Sequence, residues 1–127
     1  MAFEDDVRTA VSTYLDAVAN GTSADIAALY TDDATLEDPV GSEPTVGREA
    51  IEKFYSALDS VPRRTELLAL KVAGTTAAFH FRVVTEAGGQ TVTVEPIDVM
   101  TFDEQARITS MRAVWSPADM AVTSGEQ

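Results

Sequence analysis

The amino-acid sequence predicts an α+β domain in which three helices precede an antiparallel sheet and cover one of its faces. Before Pro62, apolar residues recur every three or four positions, which is the period of an amphipathic helix. After Pro62 the period changes to two, as in strands that bury one face. The chain has 127 residues, of which 45% are hydrophobic. We therefore expect one domain, residues 1–127, with a core that needs no metal or disulfide.

The three predicted helices carry all three tyrosines of the chain on their apolar sides. Tyr14 continues the stripe of the first helix, Tyr30 ends the second and Tyr55 lies on the third. A buried phenol usually needs a hydrogen-bond partner, so the hydroxyls can form a network, although three ordinary core residues would give the same spacing. The predicted helices span residues 5–20, 23–30 and 48–58.

Four strands are predicted after Pro62, with turns at glycine-containing or polar segments. In the second strand, Phe79 and Phe81 lie on one face, whereas His80 and Arg82 lie on the other. We therefore interpret His80, the only histidine, as a surface residue. The strands span residues 66–72, 77–85, 91–102 and 107–115, and a polar tail from about Ala121 is expected to be loosely ordered.

Composition excludes several classes of function. The chain has no cysteine, so thiol chemistry, disulfides and zinc-thiolate sites are impossible. The net charge of −12 argues against binding to nucleic acid or to anionic membranes. No leader or membrane-spanning segment is apparent, so we expect a cytoplasmic location. The acidic pairs at 5–6 and 32–33 are typical of a solvated helix start and a turn, and we expect no metal ligands there.

Asp38 is the first candidate catalytic residue. It follows Leu36 at the same parity in a short extended segment, and Pro39 favours an extended conformation at Asp38. A carboxylate that faces apolar material takes a proton more readily, as a general base must. An Asp-Pro turn whose side chain accepts backbone hydrogen bonds would explain the same segment.

Asp98 is the second candidate, because it shares its parity with Met100 and Phe102 in a long hydrophobic strand. If the register holds across Pro96, the carboxyl is buried. Burial would keep it protonated at neutral pH and make it a hydrogen-bond donor. The alternative is a carboxylate paired with a base such as Arg112 or capped by a hydroxyl.

Aromatic and apolar residues provide candidates for a binding surface. Met111 and Trp115 share one face of the last strand, where they form either ordinary core or the wall of a flat apolar pocket. Phe54 and Phe79 lie on the apolar sides of their elements and are further candidates for lining that pocket.

Scattered segments of the chain resemble the bacterial Δ5-3-ketosteroid isomerases. The segment 29–44, which reads LYTDDATLEDPVGSEP, resembles the part of that family that bears the catalytic base. Phe54-Tyr55, Pro96-Ile97-Asp98 and Ser110-Met111-Arg112-Ala113 resemble its third helix and last two strands. The similarity covers about residues 5–118, in the family's order and spacing.

This resemblance implies a conical sheet wrapped by three helices, shared with nuclear transport factor and scytalone dehydratase relatives, and usually a homodimer. It implies that Asp38 is the base, that Tyr14 and Asp98 hold the oxyanion, and that Tyr30 and Tyr55 support them. The implied reaction isomerises 3-oxo-Δ5-steroids to 3-oxo-Δ4-steroids without a cofactor. Two alternatives stay open, because one fold hosts many functions: an enzyme acting on another enolisable substrate, and a non-catalytic carrier of an apolar ligand.

Overall fold

The computed structural model describes residues 2–124, which form three α-helices and eight strands. The helices are α1 (Ala2–Asn20), α2 (Ser23–Ala27) and α3 (Arg48–Tyr55), and a 3₁₀ turn, Ser56–Leu58, continues α3. The two residues that follow α1 are Gly21 and Thr22. Thr22 caps α2, because its hydroxyl accepts a hydrogen bond from Asp25 N while the Asp25 carboxylate accepts one from Thr22 N. The three predicted helices are therefore confirmed to within a turn at most ends.

The eight strands form a single mixed sheet in the order β2-β1-β7-β6-β4-β5-β8, with β3 paired to β4. All pairs are antiparallel except β1 and β7, which are parallel, so the sheet is mixed and not purely antiparallel as predicted. The strands are β1 (Tyr30–Glu37), β2 (Thr45–Val46), β3 (Arg63–Ala73), β4 (Thr76–Ala87), β5 (Gln90–Val94), β6 (Ile97–Phe102), β7 (Ile108–Val114) and β8 (Met120–Ser124).

The long strand β4 curves the sheet, because different partners pair with its two halves. Residues 76–80 pair with β6 and residues 83–87 pair with β5. Between these partners the chain passes through Glu95 and Pro96, and Pro96 has no N–H to donate to a ladder. A register shift between Leu67 and Ala69 bends β3 along the same edge. The helices cover the concave side of this sheet, and the core lies between them.

Three sequence predictions change in the structure. Tyr30 does not end a helix but begins β1, because pairing with Ile108 of β7 prevails over the local helical period. The predicted strand 91–102 is two strands separated at Pro96. Asp32 and Asp33 lie in β1, not in a turn; both are exposed, and Asp32 forms an ion pair with Arg48.

The carboxyl-terminal segment also differs from the prediction. Residues 120–124 pair with β5 as strand β8 instead of forming a loose tail, although they are exposed throughout. The last three residues of the predicted tail, 125–127, lie outside the described residues. His80 lies on the face of β4 opposite Phe79 and Phe81 and is half-buried, which agrees with its predicted orientation. No helix among residues 2–124 is long and apolar enough to cross a membrane.

Candidate active site

A cavity of about 330 Å³ opens between α1, α3 and the concave face of the sheet. Most of its lining is aliphatic or aromatic, with a few polar groups, which is the usual composition of a small-molecule site. Six of the sequence-predicted site residues line it, namely Tyr14, Asp38, Phe54, Tyr55, Asp98 and Trp115. The other three, Tyr30, Phe79 and Met111, are buried in the core and do not line the cavity.

Asp98 is the most unusual group in the cavity wall. Its side chain points inward from β6, between Phe79 of β4 and Ala113 of β7, and only 1% of its surface is exposed. Its Oδ1 atom is buried and has no hydrogen-bond partner among residues 2–124. Burial raises the pKa of Asp98 well above its usual range, and the nearby charge of Asp38 raises it further.

The alternative explanation for Asp98, an ion pair with Arg112, is wrong. Arg112 lies on the opposite face of β7, where it is exposed and donates to Glu37 Oε1 at 3.0 Å. The predicted register therefore holds across Pro96, and the carboxyl faces the cavity without a basic partner.

Asp38 lies directly after β1 at the same cavity. The indole Nε1 of Trp115 donates a hydrogen bond of 2.7 Å to Asp38 Oδ1. Desolvation raises the pKa of Asp38, and the bond from Trp115 opposes part of that increase. The alternative of a side chain that caps its own turn is wrong, because Glu37 takes that place and accepts a 2.7 Å bond from Gly41 N.

The three tyrosine hydroxyls form a buried chain. Tyr55 Oη lies 2.9 Å from Tyr14 Oη and 2.8 Å from Tyr30 Oη. Burial raises the pKa of all three phenols well above the usual value, so they stay protonated at neutral pH. If Tyr30 donates to Tyr55 and Tyr55 donates to Tyr14, the Tyr14 proton remains free to point into the cavity.

Sequence reasoning missed eight residues of the cavity wall, all of them apolar except Thr85. The alternation along β4 was the available signal, since Phe81, Val83 and Thr85 share one face and all line the cavity. The contributions of α1, the 3₁₀ turn and β5 had no comparable signal, because they depend on how distant elements pack. The missed residues are Val18, Ala57, Leu58, Phe81, Val83, Thr85, Val94 and Pro96.

Metal ligation is not supported by the part of the chain that the structure describes. Among residues 2–124, no group of three or more histidine, aspartate or glutamate side chains converges in a way that could hold a metal ion. The polar side chains of the cavity are instead two aspartates, two tyrosines, one threonine and one tryptophan, which can donate or accept hydrogen bonds, and an aspartate can also move a proton.

Comparison with known proteins agrees with this chemistry. The model of the SnoaL-like domain family matches residues 11–111. A protein of Nocardioides simplex named Steroid Delta-isomerase is 60% identical over 118 residues, which cover 93% of this chain and 96% of that protein. The chain belongs to the steroid delta-isomerase family. The resemblance seen in the sequence is therefore confirmed.

Solved structures extend the steroid delta-isomerase comparison to the fold. The epoxide hydrolase/cyclase-like enzyme SalBIII, described for pyran ring formation in the polyether salinomycin, superposes with a TM-score of 0.89 at 26% identity. That match covers 97% of this chain and 100% of SalBIII. RV0760c of Mycobacterium tuberculosis has a TM-score of 0.86 at 20% identity, over 94% of this chain and 98% of its own. The predicted cone-shaped fold is thus confirmed, although its sheet is mixed and not purely antiparallel.

Proposed function

We propose that this protein isomerises 3-oxo-Δ5-steroids to 3-oxo-Δ4-steroids by moving a proton from C4 to C6 through a dienolate. One observation carries the proposal: a buried carboxyl without a partner, Asp98, lines the same apolar cavity as the half-buried carboxylate Asp38. Such a pair has environments suited to two different tasks, base and acid. The relative named Steroid Delta-isomerase supports the assignment of the substrate.

Asp38 is the general base of this proposal. Desolvation raises the pKa of Asp38, which makes the carboxylate a better proton acceptor. The hydrogen bond from the Trp115 indole orients the carboxylate and opposes part of this rise in pKa. Asp38 takes the C4 proton, which the adjacent carbonyl acidifies, and returns the same proton at C6. Because one carboxylate makes both transfers, the reaction needs no cofactor.

Tyr14 and Asp98 are the proposed donors to the dienolate oxygen. Negative charge develops on that oxygen as the C4 proton leaves, and a water-poor cavity makes hydrogen bonds to it strong. A protonated Asp98 supplies an O–H donor, and its lack of a protein partner leaves that donor available. Ketosteroid isomerase is itself a standard example of a carboxylic acid kept neutral for this purpose.

Tyr55 and Tyr30 are proposed to support Tyr14 instead of contacting the substrate carbonyl. The bond from Tyr55 holds the Tyr14 oxygen in place and, when Tyr55 donates, polarises the Tyr14 O–H toward the cavity. Phe54 and Trp115 supply flat apolar surface for the rings of a steroid, while Phe79 and Met111 support the wall from behind.

The direct test is turnover of 5-androstene-3,17-dione by the purified protein without added metal or nucleotide. We expect the absorbance of the conjugated enone to rise, and Asp38→Asn to slow it by a factor of about 10²–10⁴. Asp33→Asn is a matched control, because Asp33 is an exposed aspartate of the strand that leads to Asp38. Tight steroid binding without turnover would favour a carrier, and neither binding nor turnover would favour a different enolisable substrate.

We also propose that the protein is a homodimer that pairs through the outer face of its sheet. Ile97 of β6 and Val114 of β7 are direct neighbours there and expose 43% and 51% of their surface. Sedimentation of the wild type and of Val114→Glu would test this, with a dimer for the first and a monomer for the second. A cytoplasmic location stays a prediction from the sequence, which cell fractionation would check.

A further inference from the structure

One polar residue of the cavity wall has no task in the proposed reaction. Thr85 lies on the inner face of β4 and lines the cavity beside Val83 and Val94. Its hydroxyl makes no hydrogen bond to any other group within residues 2–124. All other polar residues of the lining belong to the chemical centre described above. Because this half-buried hydroxyl lines the cavity and is not engaged by another side chain, it is available to a ligand that fills the cavity.

The register of the sheet places Thr85 far from the oxyanion donors. Phe79 of β4 is paired with Asp98, and Thr85 follows Phe79 by six residues along the same strand. At about 3.3 Å per residue this separation is at most about 20 Å, and the bend of the sheet shortens it. The distance suits the long axis of a rigid four-ring molecule with a hydrogen bond at each end. A ligand whose carbonyl meets Asp98 therefore directs its opposite end toward Thr85.

We propose that Thr85 is a specificity-determining residue, whose hydroxyl binds an oxygen substituent at the end of the steroid remote from the 3-oxo group, at C17. This inference rests on the isomerase function proposed above and narrows its substrate class. A threonine hydroxyl can donate to a ketone or accept from an alcohol, so 17-oxo and 17-hydroxy steroids both fit. A steroid without oxygen at C17 leaves the hydroxyl unpaired and is disfavoured.

The test compares two substrates that differ only at C17, 5-androstene-3,17-dione and 5-androsten-3-one. Thr85→Val keeps the shape of the side chain and removes the hydroxyl. We expect kcat/KM for the 17-oxo substrate to fall about 3- to 10-fold, which is the range for one hydrogen bond. The change should appear in KM, because a bond remote from the reacting carbon is equal in the ground and transition states. For the 17-deoxy substrate, 5-androsten-3-one, kcat/KM should not fall.

Two further variants make the comparison specific. Thr85→Ser keeps the hydroxyl and should keep the preference for the 17-oxo substrate. Thr93→Val makes the same chemical change on the neighbouring strand β5, but Thr93 is paired with Val84 and does not line the cavity, so the preference should not change. The role of Thr85 would be overturned if Thr85→Val lowered kcat/KM equally for both substrates, or if it lowered kcat/KM for neither. A wild-type protein that isomerises neither substrate would overturn the proposed function, and this assignment with it.

Discussion

The replacement Asp98→Asn tests the central feature of the site, a carboxyl that stays protonated inside the protein. Asparagine has nearly the same shape, is neutral at every pH and still offers a hydrogen-bond donor. Near pH 4 and below, both side chains are neutral, so the two proteins should differ little in stability. At higher pH the unfolded wild-type chain ionises Asp98 at a pKa of about 3.9, whereas burial raises the pKa of Asp98 in the folded protein, which therefore keeps the proton to a higher pH.

The size of the stability difference between wild type and Asp98→Asn follows from this one proton, which the folded protein keeps and the unfolded chain releases. Because the pKa is raised in the folded state, the stabilising contribution of Asp98 is fully present below the unfolded pKa and is lost as the pH rises toward the folded one. The wild type therefore loses about 1.4 kcal/mol in the free energy of unfolding, relative to Asp98→Asn, for each pH unit in that window. By pH 7 the difference reaches about 4 kcal/mol if the carboxyl keeps its proton there.

Urea denaturation of both proteins between pH 4 and pH 7 measures this difference. Asp6→Asn is the control, because Asp6 is an exposed aspartate of α1. At each pH, the change in the free energy of unfolding caused by Asp6→Asn is subtracted from the change caused by Asp98→Asn, which leaves the part due to the burial of Asp98. A difference between wild type and Asp98→Asn that does not change with pH would mean that Asp98 is ionised in the folded protein. Turnover completes the test: Asp98→Asn should retain much of the activity, whereas Asp98→Ala should lose a factor of about 10²–10³.

Three further predictions concern other residues of the site and one structural arginine. Tyr14→Phe deletes one oxyanion donor and should lower kcat about 10²- to 10³-fold; a change confined to KM would mark Tyr14 as a simple binding residue. Trp115→Phe removes the hydrogen bond that lowers the pKa of Asp38, so the acid limb of the pH profile of kcat/KM should move to higher pH, and an unmoved limb would contradict this. Arg63→Leu should lower the free energy of unfolding by about 1.5–3 kcal/mol in urea denaturation, because the guanidinium donates to carbonyls of Val18, Gly21 and Leu58; an unchanged midpoint would show that water replaces these bonds.

Sequence alone determined the elements whose pattern is local. The helical period around Tyr14 and the alternation around Phe79 are set by which residues must be buried, so both could be predicted from spacing. The inward orientation of Asp98 followed in the same way from the parity of its strand. The resemblance to a known family then supplied roles that no spacing could provide, and those roles for individual residues remain predictions.

Tertiary structure decided everything that depends on contacts between distant segments. Tyr30 begins a strand because it pairs with β7, nearly 80 residues later in the chain. The hydroxyl chain through Tyr55 and the indole bond to Asp38 each join elements that are distant in the sequence. Whether Asp98 Oδ1 finds a partner likewise depends on which side chains of other elements surround it. Thr85 shows the same limit most clearly. A threonine in a strand is ordinary, and it becomes a candidate for substrate selection only because the bend of β4 places it in the wall of the cavity that contains Asp98.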